Sequence, residues 1–228
     1  YILVITSIIL TIYILEGLLI LKNQKNNKKN YKIEFLKNLK KKHQRVYPIV
    51  GTRELITKEG KLHNLGDISN SVTIFNNENG YYPIIMMDEH GFNNPKSLYQ
   101  KKIDILLIGD SYAEGYSVEP QNNIGSLLRN KNFNVINLGK GGNGPLKELG
   151  TLVEYGKNIK PKIIFWLYSH NDLTNLKNEA KSKILMKYLN DDNPLDIIKR
   201  QSKSFMKYID AIQLTTFKDI FFLNLEYD

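Results

Sequence analysis

The 228-residue chain contains no cysteine, which excludes disulfide bonds, thiolate metal sites and a cysteine nucleophile. Histidine is scarce as well, with four residues in the whole sequence, at positions 43, 63, 90 and 170. No two of these histidines have the spacing of metal ligands, and no cluster of carboxylates stands out. We therefore expect neither a metal site nor a cofactor.

The net charge of +9 is concentrated at the amino terminus. Residues 1–45 contain ten Lys or Arg and two Glu, whereas residues 46–228 contain 22 basic and 21 acidic residues. The larger part of the chain is therefore close to neutral. Because it has no basic face interleaved with aromatic residues, we expect no nucleic-acid partner.

The first 21 residues are almost entirely apolar, and Glu16 is the one charged residue among them. About 20 apolar residues are enough to span a bilayer as a helix. A buried core helix is the alternative, but no polar stripe is visible along the segment. The pattern predicts a single transmembrane helix over residues 1–21, followed by a basic juxtamembrane linker over residues 22–45. The positive flank by itself favours a cytoplasmic location for the domain on its carboxyl-terminal side.

The rest of the chain divides into two parts. Residues 46–102 are an irregular lead-in with short strands separated by Gly and Pro. From residue 103 to residue 228, apolar strands alternate with helical stretches. This order predicts an α/β fold with a parallel sheet covered by helices. The expected strands are 103–108, 133–137 and 162–168, and the expected helices lie near 121–130, 146–159, 173–189 and 194–213.

Each predicted strand of this second part runs into residues that carry chemistry. The first ends in Gly109-Asp110-Ser111 and the third in His170-Asn171-Asp172. The second ends in Asn137 and the glycine-rich turn 139–144, which together contain the pattern Asn-x-Gly-x-x-Gly. The carboxyl ends of parallel strands collect ligand and catalytic groups. A serine nucleophile needs donors for a developing oxyanion, which backbone N–H groups of glycine and an asparagine amide supply. The glycine turn does not match the dinucleotide pattern Gly-x-Gly-x-x-Gly, which disfavours a nucleotide-binding protein.

These three blocks, in this order, resemble the SGNH (GDSL-type) hydrolase family over roughly residues 88–228. The resemblance implies a three-layer α/β/α, flavodoxin-like fold with Ser111 as the nucleophile. It also implies an oxyanion hole formed by the N–H groups of Ser111 and Gly142 and by the side chain of Asn171. Gly141 and Gly144 remain alternatives to Gly142. The segment 88–95 resembles the lead-in of membrane-anchored members, which implies an exterior or periplasmic domain.

The family also has an Asp-x-x-His block that supplies the general base. No histidine comes after His170 in this sequence, so that block is missing from these 228 residues. We interpret the chain, which begins with Tyr1, as a fragment whose base lies beyond Asp228. A pseudoenzyme without the base is the competing interpretation, and His170 as an unusual base is a third.

The sequence thus predicts a membrane-anchored serine esterase or acyl transferase acting on an acylated small molecule, glycan or lipid. The alternative is a non-catalytic, membrane-tethered binding or assembly protein on the same fold, for example in cell-surface polysaccharide production. The substrate and the oligomeric state stay open. Structural roles are expected for further residues: Asp110 and Asp88 hold turns, Asp172 caps a helix, and Phe165, Trp166 and Tyr168 lie in the core.

Overall fold

The computed structural model of the chain divides into two compact units, residues 1–46 and 47–228. The first unit consists mainly of one long helix, and the described strands belong to the second unit, except that the first of them begins at Val46. The structure describes residues 2–42, 45–49, 54–57, 60–75, 78 and 81–190.

Helix α1 (Ile2–Lys42) continues through the segment that the sequence predicted as a linker. Residues 22–42 contain neither Gly nor Pro, so nothing interrupts the ladder of backbone hydrogen bonds. The described side chains of residues 3–22 are exposed. Among the described residues, no helix combines the length and the apolar character needed to cross a membrane. The transmembrane helix predicted for residues 1–21 is therefore unsupported by the structure.

A three-stranded parallel sheet forms the centre of the second unit. Strand β6 (Ile105–Ile108) lies between β7 (Val135–Asn137) and β8 (Ile163–Trp166), and both neighbours are parallel to it. In the register, Leu106 is opposite Ile136 on one side and Ile164 on the other. The predicted α/β class with a parallel sheet is confirmed.

Short antiparallel strands precede this sheet. Strands β4 (Val72–Ile74) and β5 (Ile84–Met86) pair with each other, and β1 (Val46–Pro48) joins them in the order β1-β4-β5. Strands β2 (Glu54–Thr57) and β3 (Gly60–His63) form a separate pair. The later helices are α2 (Ser111–Glu114), α3 (Ile124–Arg129), α4 (Pro145–Thr151, extended by a π-helical turn over Leu152–Gly156), α5 (Asp172–Glu179) and α6 (Lys183–Asn190). The helix predicted over 194–213 lies outside the described residues.

The central strand β6 is buried on both faces, as its uninterrupted apolar sequence requires. On one face, Leu106 and Ile108 pack with Phe92, Ile136 and Leu138. A second cluster covers the other face and contains Ile105, Leu107, Ala113 and Val135. This packing holds β6 firmly, and with it the residues beyond its carboxyl end.

Strand β8 differs from the prediction because its side chains are not in the core. Phe165 is 40% exposed, Trp166 42% and the following Tyr168 59%. The strand is at an edge of the described sheet, and all four of its side chains are exposed in the part of the chain that the structure describes. The expectation that these aromatic residues are core residues is therefore wrong for the described structure.

The core cluster predicts a large difference between two leucines of the same unit. Leu106 is fully buried in β6, whereas Leu127 on α3 is 51% exposed. Replacing Leu106 with Ala removes buried methyl groups and leaves a cavity, so the free energy of unfolding should fall by about 2–5 kcal/mol. Urea denaturation of Leu106→Ala and of the control Leu127→Ala measures this. Equal losses in the two variants would contradict the assigned core.

Candidate functional site

Ser111 lies immediately beyond the carboxyl end of β6, as the first residue of α2. Asp110 precedes it, and its Oδ1 accepts the Tyr112 N–H at 3.0 Å, which holds the turn in place. The structural role predicted for Asp110 is confirmed. Neither the N–H nor the hydroxyl of Ser111 has a hydrogen-bond partner among the described residues. Both groups are therefore available to a ligand.

Ser111 and Gly142 line the same cleft, which has a volume of about 700 Å³. Such a volume is typical of small-molecule sites. Tyr112 and Tyr116 contribute aromatic surface, and Ser117 donates a hydrogen bond to the Glu78 carboxylate on its wall. The structure thus brings two of the three predicted site residues to one cavity.

One backbone N–H group of the glycine turn has no partner in the described part of the chain. In the segment 139–144, every N–H except that of Gly142 is hydrogen-bonded within the described residues. The bonds run from Gly139 to Asn137 Oδ1, from Lys140 to the Gly109 carbonyl, from Gly141 to Glu114 Oε2, from Asn143 to the Lys140 carbonyl and from Gly144 to Glu179 Oε1.

This distribution separates Gly142 from its two alternatives. The N–H groups of Gly141 and Gly144 are each occupied by a carboxylate at 2.7 Å. Gly142 has φ +75°, in the left-handed region that favours glycine. Of the three glycines, Gly142 is the one that can donate its N–H to a ligand in the cleft.

Asn137, at the end of β7, connects the glycine turn to the helix that carries Ser111. Its side chain is fully buried: Oδ1 accepts the Gly139 N–H at 2.8 Å, and Nδ2 donates to the Ala113 carbonyl at 2.5 Å. The Cβ of any larger residue at Gly139 would lie 2.4 Å from the Glu114 nitrogen, so the turn and α2 are in direct contact. Sequence analysis did not assign this role to Asn137, although the asparagine belongs to the second block.

Lys140, a residue of the glycine turn, forms a buried ionic network with Asp67 and Glu114. Lys140 Nζ lies 3.1 Å from Asp67 Oδ1 and 3.7 Å from Glu114 Oε1, and all three side chains are nearly inaccessible to solvent. Burial lowers the pKa of Lys140, but the two carboxylates outweigh it and the net shift is upward. Burial raises the pKa of Glu114, and Lys140 opposes this shift. Lys140 therefore stays protonated, and the nearby carboxylates balance its positive charge. It also forms part of the cleft wall.

Asn171, the third predicted site residue, does not line the cleft. It adjoins the nucleophile turn, since its Nδ2 lies 3.4 Å from Asp110 Oδ2. Its Oδ1 accepts the Ser169 hydroxyl at 2.6 Å. Asn171 therefore contacts Asp110, the residue that precedes Ser111, but has no contact with Ser111 itself among the hydrogen bonds of the described residues.

Three other expectations near the site have different outcomes. Asp172 does not cap α5: Asn171 is the residue before the helix, and Asp172 Oδ2 instead accepts the Ser169 N–H at 2.5 Å. Asp88 forms a turn as predicted, because its Oδ1 accepts the N–H groups of His90 and Phe92. His170 is exposed, and Ser111 has no hydrogen bond to a histidine in the described part of the chain.

Glu148 is a buried carboxyl close to these strand ends. Its Oε2 accepts the indole N–H of Trp166 at 2.6 Å, which links α4 to β8. Burial raises the pKa of Glu148 to about 8; the Trp166 hydrogen bond opposes this shift, and Asp172 and Asp110 add to it. Near neutral pH the carboxyl is therefore largely protonated.

The raised pKa of Glu148 predicts a pH-dependent stability. The folded protein binds a proton at this group more tightly than the unfolded chain does, so the free energy of unfolding should fall as the pH rises from about 4.5 towards 8. Glu148→Gln removes this loss and retains an acceptor for Trp166. Thermal denaturation should show the variant gaining roughly 1–3 kcal/mol on wild type between pH 5 and pH 9. The same difference at both pH values would contradict the assignment.

Within the described residues, no group of three or more His, Asp or Glu side chains is arranged to hold a metal ion. Comparison with known protein families, with curated proteins and with solved structures finds no match to this chain. The resemblance to SGNH hydrolases therefore depends on the three sequence blocks alone.

Proposed function

We propose that the chain is a serine hydrolase or acyl transferase of the SGNH type that acts on ester bonds, with Ser111 as its nucleophile. One observation carries this proposal. The Ser111 hydroxyl, the Ser111 N–H and the Gly142 N–H are all without partners among the described residues, and both residues line one cleft. A nucleophile beside unoccupied backbone donors is the arrangement that acyl transfer needs.

In the proposed reaction, Ser111 Oγ attacks the ester carbonyl carbon and gives up its proton to a general base. The carbonyl oxygen becomes an oxyanion that accepts hydrogen bonds from the N–H groups of Ser111 and Gly142, which both line the cleft. The family resemblance implies the Asn171 amide as a third donor, which would have to reach the oxyanion from outside the cleft wall. Collapse of this intermediate breaks the ester C–O bond and leaves the acyl group on Ser111, and the protonated base gives its proton to the leaving oxygen, so that an alcohol is released. Water or an acceptor hydroxyl then removes the acyl group. The family resemblance implies a histidine as the base.

A fluorophosphonate probe tests the nucleophile, because it labels serines that are activated for acyl transfer. We expect the full-length protein to be labelled at Ser111 and to hydrolyse short acetyl esters. Ser111→Ala should abolish both signals, whereas the control Ser117→Ala, at a second serine of the same cleft, should retain them. Absence of labelling in a folded wild-type protein would favour the non-catalytic binding or assembly protein.

The proposed enzyme works at a membrane, to which the apolar part of α1 attaches it. Residues 1–21 have a single charge, and thirteen large apolar side chains along this part of the helix are exposed. A continuous apolar surface of this size needs an apolar partner in water. The resemblance to anchored family members supports a domain on the exterior side, with an acylated glycan or lipid as substrate.

Attachment and orientation can be measured on one sample. The full-length protein should sediment with membranes after carbonate washing, and deletion of residues 1–21 should release it. Because these 228 residues lack cysteine, Lys131→Cys at an exposed position introduces the one thiol among them, and labelling is compared with the wild-type protein. An impermeant maleimide should label it in intact cells if the domain is exterior. Labelling that requires permeabilisation would place the domain in the cytoplasm, and a soluble wild-type protein would refute attachment.

A further inference from the structure

We infer that Ser169 is a positioning residue for the reaction, which acts by fixing the carboxamide of Asn171. The inference rests on the proposed function, since it concerns the third oxyanion donor of the same site. It adds a residue that the three sequence blocks do not assign. The observation behind it is a single hydroxyl placed between the carboxylate beside the nucleophile and the amide of Asn171.

The Ser169 hydroxyl lies 2.8 Å from Asp110 Oδ2 and 2.6 Å from Asn171 Oδ1. Its one proton is shared between two acceptors, as in a three-centre hydrogen bond. The Asn171 Nδ2 closes the ring by donating to the same Asp110 oxygen at 3.4 Å. Three side chains from the ends of two neighbouring strands therefore form one cyclic network.

This network restricts the orientation of the Asn171 amide. Without it, the terminal torsion of an asparagine side chain is broad and nearly two-fold. With Oδ1 bound to Ser169 and one N–H directed to Asp110, the plane of the amide is set. The second N–H then has no partner among the described residues, and it is the group to which the proposed function assigns the oxyanion. A pre-set donor contributes more to rate than one that must rotate into place.

The backbone of Ser169 is held as firmly as its side chain. Its N–H donates to Oδ2 of the fully buried Asp172 at 2.5 Å. On the other side of the network, the second oxygen of Asp110 caps the Tyr112 N–H at the start of the Ser111 helix. A single carboxylate thus ties the nucleophile turn to the Ser169–Asn171 pair. Loss of the Ser169 hydroxyl would leave the Asn171 amide with its weaker, 3.4 Å bond alone.

A double-mutant cycle in the full-length protein tests the inference with a p-nitrophenyl acetate assay. Asn171→Ala should lower kcat about 100-fold, the magnitude of losing one oxyanion donor. Ser169→Ala should lower kcat about 10-fold with KM changed less than about 2-fold, because the contact matters in the transition state. Since Ser169 acts through Asn171, the double variant should be no slower than Asn171→Ala alone.

Ser169→Thr keeps the hydroxyl and should restore most of the kcat lost in Ser169→Ala. Ser126→Ala removes a hydroxyl on α3, away from this network, and serves as the control that leaves kcat unchanged. Melting temperatures show which variants are folded; if Ser169→Ala is not, the cycle is run with Ser169→Cys, whose thiol is a weak donor.

Additive losses in the cycle, or no rescue by threonine, would overturn the role of Ser169 and leave Ser111 as nucleophile intact. If Asn171→Ala turns over ester at the wild-type rate, the inference fails together with the proposed oxyanion role of Asn171. If wild type itself shows neither turnover nor fluorophosphonate labelling, the proposed function is what fails. The three failures are therefore distinguishable in one set of proteins.

Discussion

The buried carboxamide of Asn137 is the constraint on which the candidate site depends. A fully buried amide must have its hydrogen bonds satisfied, and this one is satisfied by the Ala113 carbonyl and the Gly139 N–H. Its backbone N–H and carbonyl are bound in turn by the side chain of Asn94. The helix that begins at Ser111, the glycine turn and the lead-in before β6 are thereby held at one point.

Close to Asn137, buried carboxylates accept hydrogen bonds from backbone N–H groups of the glycine turn. Lys140, Asp67 and Glu114 are removed from water, and such burial is tolerated because opposite charges and a backbone N–H compensate it. Glu114 and Glu179 each occupy an N–H of the glycine turn. The Gly142 N–H, by contrast, has no partner among the described residues, and Gly142 lines the cleft. A site can be defined as much by which donors are occupied as by which are present.

Sequence patterns located the strands of the sheet and the residues at their ends, because an uninterrupted apolar run and the polar residues after it are local features. They were wrong where the outcome depends on neighbours. Asp172 is a residue type that often caps helices, yet its carboxylate accepts the N–H of Ser169, three residues earlier in the chain. Phe165 and Trp166 are residue types that usually lie in the core, yet on β8, an edge strand of the described sheet, they are about two-fifths exposed. Over the segment 22–45 that was predicted as a linker, helix α1 continues as far as Lys42, and the lack of Gly and Pro in residues 22–42 permits this.

The sequence by itself determined the α/β class, since the alternation of apolar strands and helical segments is a local feature. It also determined the order of the three blocks, on which the prediction of Ser111 as nucleophile depends. Tertiary structure decided which glycine N–H is free, that Asn171 lies outside the cleft wall, and that Ser169 joins Asp110 to Asn171. These facts depend on hydrogen bonds between residues up to about sixty positions apart, such as Ser169 and Asp110. Which side chains form hydrogen bonds at that separation depends on how the elements pack, and a local sequence pattern does not contain this information.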